Sequence, residues 1–533
     1  MKNIFKYIAV LALSAAALSS CIKETFPENG TATTEQVGAS SSALEAAICG
    51  IPAQMVQGYL VYGDQTHETD MAYPGMMLAY NEMLGDIVPG TSENAGYDWY
   101  RSWNILRNMG GNTYFSYLPW RTFYMFIKSA NDVISSVDEE NASPALLGYA
   151  GMAYTVRAFV YYQMLNLYEP AENIYTTIPD AIKGLTVPIV TEKTDESAGK
   201  NNPRATHAEL VELLNSDLDK AVKYLDGFTP SSGLYPSLAV AYGMKAKVAM
   251  TDGKYADAAT AARKAIDTFS GSPMTKEQWL DPVNGFNVAT SAWMWYGHYS
   301  AETMGNLCNW IGWISPEADW SYSCMYLPCI SASLYNSIPK SDFRKYAFLD
   351  PTKKAFYDYT SVRGDAYIND VLPPYSALKF RCVGGDWENY ATGAAADVPF
   401  MRIEEMYYIE AEALGLQNLE QGKTALESFV RTYRDPSFTS KALSPEDFEL
   451  EILNQKKIEF WGEGIALFDA KRMRAGAIQA YEGTNAPTND YLMNCEGIKP
   501  NWNLVIPDSE MNNNNALKGL NNPDPTQSVT LVK

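Results

Sequence analysis

The chain has 533 residues, 47% of them hydrophobic, with 41 basic against 62 acidic side chains and a formal net charge of −21. A balance this acidic leaves no electrostatic footprint for nucleic acid, while the apolar content suffices for two or three lobes at ~150 residues per domain. Only three histidines occur (His67, His207, His298), no cysteines form a CxxC pair, and P-loop, GxSxG and HExxH patterns are lacking, so zinc, nucleotide-hydrolysis and serine-hydrolase chemistry have no support.

The chain opens MKNIFKYIAVLALSAAALSSC. Lys2 and Lys6 precede an apolar run from Tyr7 to Leu18, and small residues then lead to Cys21. Residues 1–20 have the form of a secretory signal and are too short to remain as a membrane span. Leu18-Ser19-Ser20-Cys21 matches the lipobox of bacterial lipoproteins, which makes Cys21 the expected lipidation site. Residues 21–33 are polar and read as a tether that lets a lipidated protein stand off the bilayer. No later run reaches the ~18 apolar residues of a spanning helix. The lipid is therefore the expected membrane attachment.

Helical signals start near Thr34 and dominate residues 34–269. Leu118–Val137 places Trp120, Tyr124, Ile127 and Ala130 on one face, and Ala145–Tyr168 does the same with Ala153, Val156, Val160, Met164 and Leu167. Thr206 and Glu209 form a capping-box signature for a helix ending near Leu225. From Ala239, the residues Tyr242, Ala246, Ala249, Gly253, Tyr255, Ala258, Ala262 and Ala265 fall at the offsets of a tetratricopeptide unit, with Gly253 at the turn. Residues 400–474 contain a second candidate hairpin. Phe400, Ile403, Tyr407, Ala411 and Leu414 are assigned to its first helix, and Ala425, Phe429 and Tyr433 to its second. Such units need neighbours to bury their faces, so the helical pairs are expected to stack.

Between these segments, residues 270–399 carry nine prolines and many aromatics, the composition of a large irregular insert. Five of the twelve tryptophans lie between Trp293 and Trp320. An indole or phenol face is flat, apolar and quadrupole-negative, and stacks on the C–H face of a pyranose ring. Aromatic contacts of this kind contribute ~0.5–1.5 kcal/mol beyond area burial. The sugar hydroxyls need polar partners as well, and Asn287, Glu302, Asn306, Asn309, Glu317 and Asp319 offer them. The ligand-binding candidates are Trp293, Trp295, Tyr296, Trp310, Trp313 and Trp320 in the insert, with Tyr97, Trp99 and Arg101 from the run YDWYRSW. On an extended segment Trp293 and Trp295 share a face, which suits a two-ring platform and a buried edge equally. Trp103, Trp120 and Trp279 are assigned to the core. The six cysteines after Cys21 leave open a Cys324–Cys329 bridge or buried thiols. Residues 475–533 read as an irregular, Asn-rich tail.

Several segments resemble the SusD/RagB family of outer-membrane nutrient-binding lipoproteins. Arg157-Ala158-Phe159-Val160-Tyr161-Tyr162 through Leu167-Tyr168 is similar to the family's R-A-x-x-Y-[FY]…L-Y-G helix, with Glu169 in place of glycine. Arg402 to Ala413 resembles R-x-x-E-[MV]-Y-L-I-x-A-E-A. Lys456 to Arg472 resembles the family's E…E-G-x-R-x-F-D-x-x-R segment, with Ala466 where arginine is common. Ile506-Pro507-Asp508-Ser509-Glu510, Asn514 and Asn521-Asn522-Pro523 are similar to the C-terminal I-P-x-x-E…N…Q-N-P. The fold implied is mainly α, a tetratricopeptide-like helical-hairpin superhelix with the loop-rich insert packed on it. The function implied is binding of a glycan or other nutrient at the outer membrane and its delivery to a SusC-like TonB-dependent transporter, without catalysis, cofactor or metal. Trp461 and Phe468 are then expected in the core. Glu459, Glu463 and Asp469 are expected to pair with Lys456, Lys457 and Arg472 or to cap neighbouring backbone. Two other readings stand beside this one. Glu459 and Glu463, one helical turn apart, would suit a helical glycoside hydrolase, and the repeats alone would suit a protein-binding scaffold lipoprotein.

Overall fold

The computed structural model describes residues 41–58, 70–93, 99–301, 309–353, 361–487 and 492–532. The signal, Cys21, the tether and Tyr97 lie outside the described residues. Eleven helices carry the architecture described here: α1 (Ser41–Val56), α2 (Ala72–Leu84), α3 (Tyr114–Ser135), α4 (Pro144–Tyr168), α5 (His207–Leu225), α6 (Leu238–Thr251), α7 (Tyr255–Thr268), α8 (Ile403–Gly415), α9 (Leu419–Tyr433), α10 (Pro445–Glu459) and α11 (Ala466–Arg472). From α3 to α9 each helix packs on the next, and α7 packs on α8 although more than 130 residues separate them in sequence. The chain thus leaves the helical array after Thr268 and rejoins it at Ile403.

Local chemistry sets the helix boundaries. Ser143 caps α4 by accepting from the Leu146 N–H, with Pro144 in the first turn, and Thr206 and Glu209 form a reciprocal capping box on α5. Gly253 turns the chain between α6 and α7 at φ +69°, a conformation that favours glycine. Small residues then let α6 and α7 close up, with Ala246, Ala258, Ala262 and Ala265 fully buried. The α8–α9 pair closes through glycines: a Cβ built on Gly422 would lie 2.3 Å from the Gly415 Cα. Phe400 is a correction to the sequence reading. It belongs to a strand that precedes α8, since Arg402 ends the extended segment and the helix begins at Ile403.

The strands are short and pair two by two, all antiparallel. β1 (Ile87–Pro89) pairs with β5 (Pro328–Ile330), β2 (Leu185–Pro188) with β3 (Arg204–Thr206), and β4 (Trp293–His298) with β6 (Asp397–Arg402). The β1–β5 and β4–β6 pairs pin the insert to the array at two points. Among the described residues between Ser270 and Ala396, no helix exceeds six residues.

A buried ionic cluster makes the third attachment. Glu459 accepts from Arg344 (2.9 Å), Arg402 (3.0 Å) and Arg434 (2.7 Å), and Glu463 pairs with Lys379 (2.6 Å) and Arg402 (2.8 Å). Asp342 and Glu404 complete it, giving four cations and four carboxylates, all with side chains no more than 1% exposed. Asp342, Arg344 and Lys379 come from the insert and the others from β6, α8 and the α9–α11 region. The expected pairing of Glu459 and Glu463 with Lys456 and Lys457 is therefore corrected: tertiary structure supplies partners distant in sequence. Lys457 instead pairs with Asp86 at 3.0 Å. Asp469 does pair with Lys456 (2.9 Å) and Arg472 (3.3 Å), and both bases also reach Glu412.

The C-terminal tail, though irregular, is tied down by side-chain amides. Asn521 exchanges two hydrogen bonds with the Ile506 backbone (2.9 and 2.8 Å), and Asn522 donates to the carbonyls of Tyr168 and Leu504. Arg204, buried, donates to the carbonyls of Thr186, Leu185, Tyr168 and Leu520 and to the Asn522 amide oxygen. Arg157 bonds Asp217 through two N–H groups, each at 2.7 Å, and so clamps α4 to α5.

Glu169, which ends α4, receives His207 Nδ1 at 2.7 Å, and Asp252 lies 3.6 Å from the other ring nitrogen. The hydrogen bond to Glu169 raises the His207 pKa above its ordinary value against the opposing effect of burial. The pair's stabilisation is therefore complete below the unfolded pKa of about 6.5 and is lost as pH rises through the raised folded value. His207→Gln should unfold at lower urea than the parent in mild acid, and the gap between their midpoints should narrow toward alkaline pH. A gap that stays constant across that range would refute the coupling.

Candidate functional site

The structure sorts the candidate rings by burial, and most of them go inside. Trp310 and Trp313 sit on a one-turn helix, Trp310–Ile314, that Asn309 caps by accepting from the Gly312 N–H at 2.6 Å. Both indoles are fully buried. Trp293 and Trp295 lie on β4, bulged against β6. Trp295 packs edge-to-face on Phe159 (4.9 Å) and Phe400 (5.5 Å) and donates its Nε1–H to the Leu234 carbonyl at 2.9 Å. Arg101 is buried and donates to the Ile87 carbonyl (2.8 Å) and to Glu82 (3.2 Å). The expectation that Trp295, Trp310, Trp313 and Arg101 face a ligand is thus corrected; Trp293 is buried as well and shows only a margin to the cleft beside Tyr296. Their apolar area or charge is satisfied within the protein.

Tyr296 is half-buried and lines a cleft of about 650 Å³ with Phe228, Tyr235, Phe269 and Trp293. This cleft shares no residue with the surface around Trp99.

Trp99 remains open, with 37% of its surface exposed. It stands just ahead of the one-turn helix Arg101–Asn104, while its neighbour Tyr100 turns inward onto Trp313 (5.0 Å, edge-to-face). Trp99 leans on half-buried Tyr322 (centroids 5.8 Å apart, planes at 37°), and Tyr322 leans in turn on Trp313 (4.8 Å, 35°). The result is a ladder of rings running from the core to solvent. Its foot is held by the Tyr326 hydroxyl, which donates to the Trp313 carbonyl at 2.6 Å.

Two residues before Tyr322, the half-buried Trp320 lays its ring edge against Gly393, where a Cβ would lie 2.7 Å from it. The Asp319 N–H donates to the Trp387 carbonyl (3.2 Å), which brings half-buried Trp387 alongside. Arg363 lies over the Trp387 ring (4.3 Å) and the Tyr367 ring (3.9 Å) and donates to the Glu317 carbonyl (3.3 Å). Glu317 is buried and accepts from Arg381, Ser361 and the Val362 N–H, so this turn is rigidly held. Of the residues singled out from sequence, Trp99 leans on Tyr322 and Trp320 stands two residues before that tyrosine. Tyr322, Trp387 and Arg363 were missed, and the only sequence signal for Trp387 is its loop context, GGDWENY.

Among the described residues Cys49, Cys324, Cys329, Cys382 and Cys495 are free thiols, so the Cys324–Cys329 bridge does not form. The thiol of Cys329, pushed up to about 12 by burial, sits near the Ser376 hydroxyl. No helix among the described residues is long and apolar enough to cross a membrane.

The structure is thus an array of packed helices carrying a loop-rich body with a partly open aromatic ladder. Residues 65–250 match the family profile described as starch-binding and associating with the outer membrane, and residues 375–524 match that of the SusD family. The chain belongs to the SusD/RagB family. It is 25% identical over 387 residues to SusD-like protein P2 of Formosa agariphila, covering 67% of this chain and 71% of that protein. A SusD-like carbohydrate-binding protein from Bacteroides vulgatus superposes with a TM-score of 0.67 at 18% identity, over 90% of this chain and 97% of that one. A laminarin-binding SusD-like protein superposes at 0.61 with 16% identity, over 91% and 99%.

Proposed function

We propose that this chain is a non-catalytic surface receptor that holds a glycan on the Trp99–Tyr322 ladder and beside Trp320, and passes it to a SusC-like TonB-dependent transporter. In this reading Cys21 carries the lipid anchor at the outer membrane, residues 21–33 are the tether, and α3 to α9 form a tetratricopeptide-like superhelix. Residues 270–399 act as the ligand-bearing insert.

The observation that carries the reading is the ladder itself. Trp99 is propped by Tyr322, which is propped by buried Trp313, so the exposed ring is held in place before a sugar arrives. A preorganised ring avoids most of the ordering cost of binding. Family membership supplies the same expectation independently. The glycosidase alternative loses its best acids, because Glu459 and Glu463 are sealed and salt-bridged to arginines and a lysine.

The test is a glycan array followed by calorimetry on the soluble form that starts after Cys21. Affinity without release of reducing ends is the expected result. A blank array together with co-purification of an outer-membrane barrel would overturn glycan binding in favour of a protein-binding scaffold.

A further inference from the structure

We propose that Arg363 selects an anionic substituent on the ligand, so that the preferred guest is an acidic glycan carrying carboxylate or sulfate. This inference rests on the glycan-binding reading above.

The observation is a cation that has no counter-ion among the described residues and lies against two aromatic rings. Arg363 is half-buried, with its guanidinium carbon 3.9 Å from the Tyr367 ring centroid and 4.3 Å from that of Trp387. Among the described residues its one hydrogen bond from the guanidinium goes to a neutral carbonyl, that of Glu317, at 3.3 Å. Among the described residues no carboxylate comes within ion-pairing distance of it. Among the buried arginines, Arg157, Arg344, Arg381, Arg402 and Arg434 hold carboxylates, and Arg204 spends its donors on four carbonyls and one amide oxygen, whereas Arg363 has the single carbonyl among the described residues.

Two nearby acids are already engaged. The Glu317 carboxylate is taken by Arg381, Ser361 and the Val362 N–H. Asp386 accepts from Thr392 and from the Asn389 N–H within its own loop. Asp319 and Glu388 are exposed.

Geometry explains why this matters. A guanidinium carries five N–H donors in its plane. Contact with the Tyr367 and Trp387 rings covers its faces and fixes its orientation, while the donors radiate from the edges. Carboxylate and sulfate are the groups that take a planar fork with two charge-assisted hydrogen bonds, whereas a sugar hydroxyl takes only one. The chain's overall charge of −21 does not prevent this, because fields from exposed charges are screened beyond ~8 Å at physiological ionic strength. Short-range contacts therefore decide selectivity. Arg363 donates to the carbonyl of Glu317, three residues before Trp320 and five before Tyr322. In the proposed arrangement a sugar on those rings turns its acidic substituent toward this fork.

Calorimetry on the soluble form should compare a neutral oligoglucoside, an oligouronate and a sulfated oligosaccharide of equal length. The parent should favour at least one acidic ligand by about ten-fold, and that preference should weaken as salt is raised. The uronate and sulfate arms show which oxyanion is read. Arg363→Gln should abolish the preference and leave neutral-ligand affinity within about two-fold, while Arg363→Lys, which keeps the charge without the fork, should fall between. Equal binding of neutral and acidic ligands by the parent would overturn the role of Arg363 alone. A preference that survives Arg363→Gln would do the same. Failure of every glycan to bind would overturn the receptor reading and this inference with it.

Discussion

Glu459→Gln is expected to cost about 3–5 kcal/mol of stability, the usual loss when one partner of a buried ionic network is removed. Burial by itself would raise the Glu459 pKa, but the guanidiniums of Arg434, Arg402 and Arg344 outweigh it and hold the carboxyl well below its usual range. Removing that one charge leaves three guanidiniums crowded in a site with no water-facing edge. Glutamine keeps the shape but not the charge, so the loss reports electrostatics and not a cavity. The measurement is the urea midpoint at unchanged m-value. Because Arg344 and Lys379 belong to the insert, amide hydrogen exchange should accelerate first around 328–349 and 376–382. A loss below about 1 kcal/mol, within the range of a surface pair, would show that the cluster does not hold the insert.

Trp99→Ala and Trp320→Ala carry the second large effect, on ligand affinity. Each ring removed should weaken glycan binding by about two- to ten-fold from stacking alone, and the double variant by up to about a hundred-fold if the two act independently. Tyr322→Ala should also weaken binding, because Trp99 loses the ring that props it. Trp310→Ala and Trp313→Ala should behave differently: both indoles are fully buried, so truncation should cost about 3–5 kcal/mol of folding stability. Calorimetry and thermal unfolding on the same set of variants separate the two classes. Undiminished glycan affinity in the Trp99/Trp320 double variant would remove the ladder as the binding surface.

Much of the helical architecture was legible because it rests on short-range rules. The stripe on α4, the capping box of Thr206 with Glu209 and the small-residue spacing of α6 and α7 are all written within a few turns of chain. The family motifs were legible for the same reason, as runs of residues in order. What they do was only half legible. Asp469 with Lys456 and Arg472 could be paired from proximity in sequence, but Glu459 takes Arg344 from 115 residues away. No periodicity encodes that distance.

The candidate site shows the same division more sharply. The sequence alone determined that residues 270–399 would be irregular and aromatic, that the helices would pack as pairs, and, through its ordered motifs, that the chain belongs with the SusD/RagB family. It could not tell an indole that faces solvent from one that faces the core. In a loop-rich segment there is no regular alternation to label the two sides, and Trp and Tyr serve both environments. Trp310 and Trp313 went inward because a one-turn helix capped by Asn309 packs into the protein. Trp293 and Trp295 went inward because β6, arriving from more than a hundred residues away, pairs with their strand. Trp99 stayed out because Tyr100 and Tyr322 already fill the space beneath it. Exposure is a property of what the rest of the chain leaves uncovered, and only the folded arrangement decides it.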